Sequence, residues 1–152
     1  MDLILWRHAE AEDGADDMAR ALTGRGRKQA AAMAGWLRSH LPPGYRVVAS
    51  EAVRARQTAE ALDPDHRVDP RLNPDLGVTS YLDAIGWPDQ LPEVLLIVAH
   101  QPTLGQLAAR LLGGQNQEWS VRKGAIWWFQ GRQRGGQAQM VLRTVLAPEQ
   151  ID

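Results

Sequence analysis

Short apolar runs alternate along the chain with longer segments in which apolar residues recur every three or four positions. Short runs of apolar-rich residues bounded by polar or turn-forming residues are typical of β-strands. Five segments have this character: 3–6, 45–49, 94–99, 124–130 and 137–145, the last two separated by the glycine-containing stretch 131–136. The pattern therefore predicts five strands, with a hairpin at one edge of a sheet.

Helical periodicity appears between these runs. After a polar, acidic loop over 9–20, Thr23 is predicted to cap a helix whose apolar residues form one stripe, and Pro42-Pro43-Gly44 ends it. The residues of the stripe are Ala30, Met33, Ala34, Leu37 and Leu41. Ser50 is predicted to cap a second helix that runs to about Leu62. A further helix is expected from 101–103 to about Leu112, where two glycines follow.

The proline-rich stretch 65–93 predicts mostly loop, with one short helix near Ser80–Ile85. The resulting order of strands and helices predicts an α/β protein: a three-layer α/β/α sandwich around a largely parallel sheet. A length of 152 residues suits a single domain over 1–152.

Composition narrows the classes of function. The chain has no cysteine, which excludes disulfides, a cysteine nucleophile and thiolate metal sites. The formal charge of −1, with acidic and basic residues interspersed, argues against a nucleic-acid or membrane-surface protein. No signal peptide or transmembrane-length stretch is expected, so we expect a cytoplasmic monomer with no nucleic-acid or membrane partner.

Polar and charged residues follow three of the predicted strands directly. Arg7 and His8 follow the first, Ser50 and then Arg54 follow the second, and His100 follows the third. In open α/β sheets, ligands bind outside the carboxyl ends of the strands. Two imidazoles and two guanidiniums gathered there suit a phosphoryl group, because guanidiniums bind phosphate bidentately and a neutral imidazole can act as a nucleophile.

These residues lie in four ordered motifs that span about two thirds of the chain. The motifs are Leu-Trp-Arg-His-Ala-Glu at 5–10, Leu-Thr-x-x-Gly-x-x-Gln-Ala at 22–30, Ser-x-x-x-Arg-x-x-Gln-Thr-Ala at 50–59 and Val-Ala-His at 98–100. Together they resemble the histidine phosphatase (phosphoglycerate-mutase-like) superfamily, although Ala9 stands where many members have glycine. The small size and the sequence His100-x-Pro102 resemble its compact branch, the SixA-type phosphohistidine phosphatases.

The resemblance implies a phosphoglycerate-mutase-like fold and a role for each motif residue. It implies that His8 is the nucleophile and is transiently phosphorylated, while Arg7 and Arg54 bind the nonbridging oxygens. It also implies a protonated His100 that donates to the same oxygens, and Arg20 is a candidate for a further phosphate contact. No cofactor is implied, and the four histidines lack the spacing of metal ligands, so we expect no metal.

Larger members of the superfamily carry a proton-donating carboxylate between the second arginine motif and the second histidine motif. In this chain that interval is short and rich in proline, and Asp75 is its best candidate. Asp75 also fits a simple turn residue after Pro74. Glu10 and Glu12 lie nearer to His8 in sequence, but a solvated acidic loop explains them equally well.

A site without a general acid favours a labile leaving group. Imidazole leaves phosphohistidine far more easily than an alkoxide leaves a phosphate ester, and acid assistance is worth about 10²–10⁴-fold. We therefore expect hydrolysis of phosphohistidine on a protein, either a histidine phosphotransfer domain or a phosphocarrier. The alternatives are a broad small-molecule phosphomonoesterase and, less favoured, a non-catalytic phosphate-binding module; a mutase fits least, because it needs a closed site.

Overall fold

The computed structural model describes residues 1–135 and 137–151 and contains six strands and four α-helices in that part of the chain. The strands are β1 (Asp2–Arg7), β2 (Arg46–Ala49), β3 (Arg67–Val68), β4 (Val94–Ala99), β5 (Ile126–Arg134) and β6 (Gln137–Leu146). The α-helices are α1 (Gly24–His40), α2 (Val53–Leu62), α3 (Val78–Ile85) and α4 (Thr103–Gly113). Short 3₁₀ turns lie at Asp17–Ala19, Pro70–Leu72 and Pro148–Gln150.

All six strands form one sheet in the order β3-β2-β4-β1-β5-β6. The first four strands in this order pair in parallel, whereas β5 is antiparallel to both of its neighbours. The β1–β4 register pairs Arg7 with Ala99, so the residues that follow both strands lie at the same edge of the sheet. The predicted largely parallel sheet is therefore confirmed, and its central strands carry two of the motifs.

Helices cover both faces of the sheet. On one face α1 and α2 pack against alternate residues of the central strands, including Ile4, Trp6 and Val98. On the other face α3 and α4 pack against the intervening residues, including Leu5 and Ile97. All six residues of β4 are buried, as expected for a strand covered on both sides. The three-layer α/β/α architecture is thus confirmed.

Local differences from the sequence predictions have physical reasons. The Thr23 cap is confirmed, since its hydroxyl accepts the Gly26 N–H at 2.9 Å. The Ser50 cap is wrong: α2 begins after Ala52, which provides no side-chain cap, and Ser50 lies two residues too early. Its hydroxyl accepts the Ala52 N–H at 3.2 Å and contacts His100. Strand β5 starts at Ile126 rather than 124, because Gly124 has φ +73° and its N–H donates to the carbonyls that end β1.

Two other elements differ from the pattern-based prediction. Strand β3 was missed; it has only two residues, both exposed, so it carries no apolar signal. The short helix predicted near Ser80–Ile85 is confirmed, but it begins two residues earlier, at Val78. The hairpin is confirmed, and Gly136, the last residue of its predicted turn, lies outside the described residues.

No helix within 1–135 and 137–151 is long and apolar enough to cross a lipid bilayer.

Candidate functional site

Four motif residues meet at the carboxyl edge of the central strands. Arg7 ends β1, His8 follows it, and the His8 N–H donates to the carbonyl of Ala99, the residue before His100. Arg54 reaches the same place from the first turn of α2, where its Nε lies 3.4 Å from His8 Nε2. The rings of His8 and His100 are 5.1 Å apart between centroids. Side chains from three elements therefore form one compact cluster.

The imidazole of His8 has a defined tautomer. Its Nδ1 lies 2.8 Å from the carbonyl oxygen of Ala9, and because a carbonyl can only accept, Nδ1 carries the hydrogen. Nε2 then carries the electron pair, which accepts a hydrogen bond from Arg54 Nε at 3.4 Å. Burial, together with the charges of Arg54 and Arg7, lowers the pKa of His8 to about 3. His8 is thus a neutral imidazole with Nε2 available as a nucleophile.

Hydrogen bonds of Ala9 and Thr58 hold the backbone next to the His8 ring. Ala9 is fully buried, and its N–H donates to the Thr58 hydroxyl at 3.0 Å. The same hydroxyl donates to the Arg54 carbonyl at 2.8 Å. Thr58 therefore fixes the backbone next to His8 relative to the helix that carries Arg54.

His100 is neutral among the protein's own groups. Its Nε2 lies 2.6 Å from the Ser50 hydroxyl, and burial, with the neighbouring His8 and Arg54, lowers its pKa to about 2. This differs from the protonated His100 implied by the resemblance, because the cluster holds several cations in a buried place. A phosphoryl dianion beside the ring would act in the opposite direction and raise that pKa.

Two buried nitrogens of the cluster have no hydrogen-bond partner among the described residues. They are Nε of Arg7 and Nδ1 of His100. Arg7 is otherwise held by its Nη1, which donates to the Val121 carbonyl at 2.9 Å. Buried polar groups are nearly always hydrogen-bonded, so a pair of such groups in one cluster indicates a place where a polar ligand binds.

Asp17 is a functional residue that the sequence analysis did not single out. Arg54 donates from Nη1 to the Asp17 carbonyl at 2.6 Å and from Nη2 to its carboxylate at 3.1 Å. Arg20 donates to the other carboxylate oxygen at 3.0 Å and to the Glu12 carbonyl at 2.7 Å. Arg20 is therefore joined to the cluster through Asp17, which holds the two guanidiniums on either side of one carboxylate.

The candidate proton donors make no hydrogen bond to the four clustered residues within the described chain. Asp75 is exposed and has φ +67°, in a loop that reaches the site edge through a hydrogen bond from Thr103 to the Leu76 carbonyl. The Glu10 carboxylate accepts from Thr23, near the start of α1. Glu12 contacts Arg20 through its backbone carbonyl, which accepts a hydrogen bond from Arg20 Nε.

Sequence reasoning placed Arg7, His8, Arg54 and His100 together, and the structure does bring them together. It missed the supporting contacts from Asp17, Thr58 and the Val121 carbonyl, and it misread Ser50. Asp17 stands in an acidic loop beside other aspartates, so no pattern distinguished it. A backbone carbonyl from residue 121 leaves no side-chain signal at all.

The free energy of unfolding should fall as the pH is lowered from 7 to 5. In the folded state the pKa values of His8 and His100 are about 3 and about 2. In the unfolded chain they return to about 6.5, so below that pH the unfolded state binds two protons that the folded state does not. The expected loss at pH 5 is about 2 kcal/mol per histidine, measured by urea unfolding at both pH values.

The variant His8→Asn provides the control for this pH effect. With one of the two buried imidazoles removed, the pH-dependent loss between pH 7 and 5 should be about half as large. The carboxylates with lowered pKa values, such as Asp17, act only below this window, since their usual pKa is near 4. An unchanged pH dependence in the variant would contradict the assignment of His8 as a buried neutral group.

Comparison with known proteins agrees with this geometry. The family model of the histidine phosphatase superfamily (branch 1) matches residues 3–90. Phosphohistidine phosphatase SixA of Escherichia coli (strain K12) is 34% identical over 125 residues, which cover 76% of each chain. The SixA homolog of Haemophilus influenzae is 35% identical over 132 residues, covering 76% of this chain and 80% of that one.

A solved structure gives the same result over nearly the whole chain. The protein histidine phosphatase SixA complexed with tungstate superposes with a TM-score of 0.80 at 27% identity, covering 99% of both chains. A mycobacterial glucosyl-3-phosphoglycerate phosphatase superposes with a TM-score of 0.70 at 20% identity, which shows a shared fold.

Proposed function

Since the chain belongs to the SixA-type branch of the histidine phosphatase superfamily and is a histidine-dependent phosphatase, we propose that it removes phosphate from phosphohistidine on a protein. We propose further that the reaction passes through phosphorylated His8. The substrate protein is expected to be a histidine phosphotransfer domain or a phosphocarrier. No cofactor is needed for this chemistry.

The reaction has two steps. In the first, the free pair on His8 Nε2 attacks phosphorus in line, a new P–N bond forms, and the P–N bond of the substrate breaks. The substrate imidazole leaves with a proton gained before or during that cleavage. In the second, water attacks phosphorus and the P–N bond to His8 breaks. The protons of the water leave with the phosphate, and His8 returns as the neutral imidazole that its lowered pKa favours.

The remaining cluster residues stabilise charge on the transferred group. The observation that carries the proposal is the pair of buried nitrogens without partners, Arg7 Nε and His100 Nδ1, in the same cluster as the His8 nucleophile. A phosphoryl oxygen beside them would satisfy both. Arg54 Nε, already directed at His8 Nε2, would bind an oxygen of the group that Nε2 attacks. In phosphoryl transfer, such positioning and electrostatic stabilisation supply most of the catalysis.

The leaving group distinguishes phosphohistidine from an ordinary phosphate ester. Asp75, Glu10 and Glu12 make no hydrogen bond to the clustered residues, and the Asp17 carboxylate is held ionised by Arg20 and Arg54, which lower its pKa. The absence, among the described residues, of a carboxylate hydrogen-bonded within the cluster as a free acid favours a leaving group that needs no acid as a proton donor. An imidazole leaving group needs such a donor far less than an alkoxide does. The names of the SixA relatives support the same substrate class, and the tungstate in the solved SixA structure supports a site for an oxyanion such as phosphate.

A comparison of substrates tests this proposal. Phosphate release is measured from a phosphohistidine peptide, an aryl phosphate and a sugar phosphate, with wild type and Asp75→Asn. Without acid assistance, kcat/KM for phosphohistidine should exceed that for the sugar phosphate by at least about 10²-fold. Asp75→Asn should change neither value by more than about twofold, the range of a surface substitution.

Two outcomes would favour the alternatives. Faster turnover of the sugar phosphate, together with its loss in Asp75→Asn, would indicate a small-molecule phosphomonoesterase with Asp75 as the acid. Phosphate binding without any turnover would indicate a non-catalytic module. The cytoplasmic location and the monomeric state stay predictions from the sequence.

A further inference from the structure

Four cationic side chains lie on the surface beside the segment that supports Arg7. Arg122 and Lys123 lie in the sequence between Val121 and Gly124. The Val121 carbonyl accepts a hydrogen bond from Arg7, and the Gly124 N–H donates to the carbonyls of Arg7 and His8. The side chains of Arg122 and Lys123 are exposed. The residues on either side of these two cations are therefore hydrogen-bonded to Arg7 and His8.

Two more cations come from the start of α1. Arg25 and Lys28 are exposed and line a surface cavity of about 240 Å³ together with Glu149. A Cβ added at Gly124 would lie 3.6 Å from the Cβ of Gln29, the residue after Lys28, so this part of α1 adjoins the 122–124 segment. We call Arg25, Lys28, Arg122 and Lys123 the basic rim.

The basic rim concentrates positive charge in a chain whose formal net charge is −1. Among its acidic neighbours, Glu149 pairs with Arg122 at 2.9 Å, and Glu10 accepts from Thr23, the residue that caps α1. Both lysines of the sequence, Lys28 and Lys123, belong to the rim. The opposite charge lies on the Arg54 side of the cluster, where Asp17 and the exposed loop residues Asp13 and Asp16 are found.

Building on the proposed function, we propose that the basic rim docks an acidic surface segment of the substrate protein beside its phosphohistidine. The transferred phosphoryl group is bound by the buried cluster, so the exposed rim is left to contact the surroundings of the phosphohistidine. Charge complementarity across an interface accelerates association and selects among partners. The rim therefore favours substrates with carboxylates on the side of the phosphohistidine that faces Arg122 and Lys123.

Kinetics with matched peptides tests the docking role. Two phosphohistidine peptides differ only in whether their flanking residues are acidic or neutral, and free phosphohistidine serves as the small substrate. Wild type should prefer the acidic peptide in kcat/KM by about tenfold at low ionic strength, the effect of a few exposed charge pairs. In Lys28→Glu/Lys123→Glu the preference should disappear, while kcat/KM for free phosphohistidine stays within about twofold of wild type.

The control is the double variant Arg46→Glu/Arg110→Glu, which makes the same change in net charge. Arg46 begins β2 and Arg110 lies in the last turn of α4, both at the ends of their elements away from the site. This variant should keep the preference for the acidic peptide. Retention of activity on free phosphohistidine verifies that each variant is folded.

The outcomes separate the two proposals. Equal kcat/KM for both peptides in wild type, or an unchanged preference in the rim variant, would overturn the docking role and leave the proposed function standing. A loss of preference in both double variants would show a non-specific charge effect and would also overturn it. Failure of wild type to hydrolyse any of the phosphohistidine substrates would overturn the proposed function itself.

Discussion

Replacing His8 with alanine is expected to abolish turnover while leaving the fold intact. Removing the nucleophile of a covalent mechanism lowers kcat by on the order of 10⁴-fold or more. The other imidazole of the cluster, His100, has its Nε2 engaged with the Ser50 hydroxyl at 2.6 Å, and the proposal assigns its unpartnered Nδ1 to a phosphoryl oxygen. The measurement is kcat with a phosphohistidine peptide for wild type and His8→Ala.

The structure indicates that this variant will fold. The side chain of His8 makes one close backbone hydrogen bond, to Ala9, and the apolar residues of β1 before it remain fully buried. Circular dichroism and an unchanged cooperative unfolding transition provide the control. Undiminished turnover by folded His8→Ala protein would exclude a phospho-His8 mechanism.

The second large effect is expected at Arg54. Its guanidinium lies 3.4 Å from the nucleophilic nitrogen, so Arg54→Ala removes a cation from the place where phosphoryl charge is held. Loss of one preorganised donor costs about 10²–10³-fold in rate. Arg54→Lys should recover only part of this, because lysine keeps the charge but cannot bind oxygens through a planar fork.

Substitutions of Asp17 should have smaller effects on activity than Arg54→Ala. Asp17 positions the Arg54 guanidinium from outside the cluster, and its carbonyl contact is unaffected by changing its side chain. Asp17→Ala should therefore lower kcat/KM by about fivefold at most, since exposed charge pairs contribute about 0.2–1 kcal/mol. Asp17→Asn, which keeps an accepting oxygen, should lie nearer to wild type. An effect of Asp17→Ala as large as that of Arg54→Ala would show that Asp17 takes part in the chemistry directly.

Burial and the guanidinium charges of the cluster keep its two imidazoles neutral. Burial and the nearby guanidiniums both disfavour a further positive charge, which lowers the pKa values of His8 and His100. A neutral His8 is nucleophilic, and the fixed guanidinium charges attract a phosphoryl dianion. The same arrangement makes the protein acid-sensitive, because the unfolded chain gains protons that the folded site excludes.

Much of the fold could be predicted because its strands and helices are marked by strong local patterns. Strand β4 is six consecutive apolar residues, and α1 has a threonine cap and a continuous apolar stripe. Strand β3, with two exposed residues, depends only on backbone pairing with β2 and leaves no such pattern. Elements whose formation is determined by tertiary contacts were therefore the ones missed.

In the site too, residues marked by local sequence patterns could be predicted, and residues held by long-range contacts could not. His8, Arg54 and His100 could be predicted because each follows or adjoins a recognisable strand within a motif. Ser50 was read as a helix cap, a local role for which serine is well suited, but its hydroxyl pairs with His100 across fifty residues. Asp17 and the Val121 carbonyl also act over long sequence separations. Contacts of this kind require the folded structure.

Identification of the phosphorylated residue tests the central claim most directly. Wild-type protein is mixed with a phosphohistidine peptide, quenched within milliseconds at alkaline pH to preserve P–N bonds, digested and sequenced by mass spectrometry, with His8→Ala as the control. Because His8 holds the nucleophilic nitrogen, phosphate should appear on His8 and be absent from the digest of His8→Ala. Continued turnover of the peptide with phosphate on another residue, or with none on His8 at any time, would contradict the account.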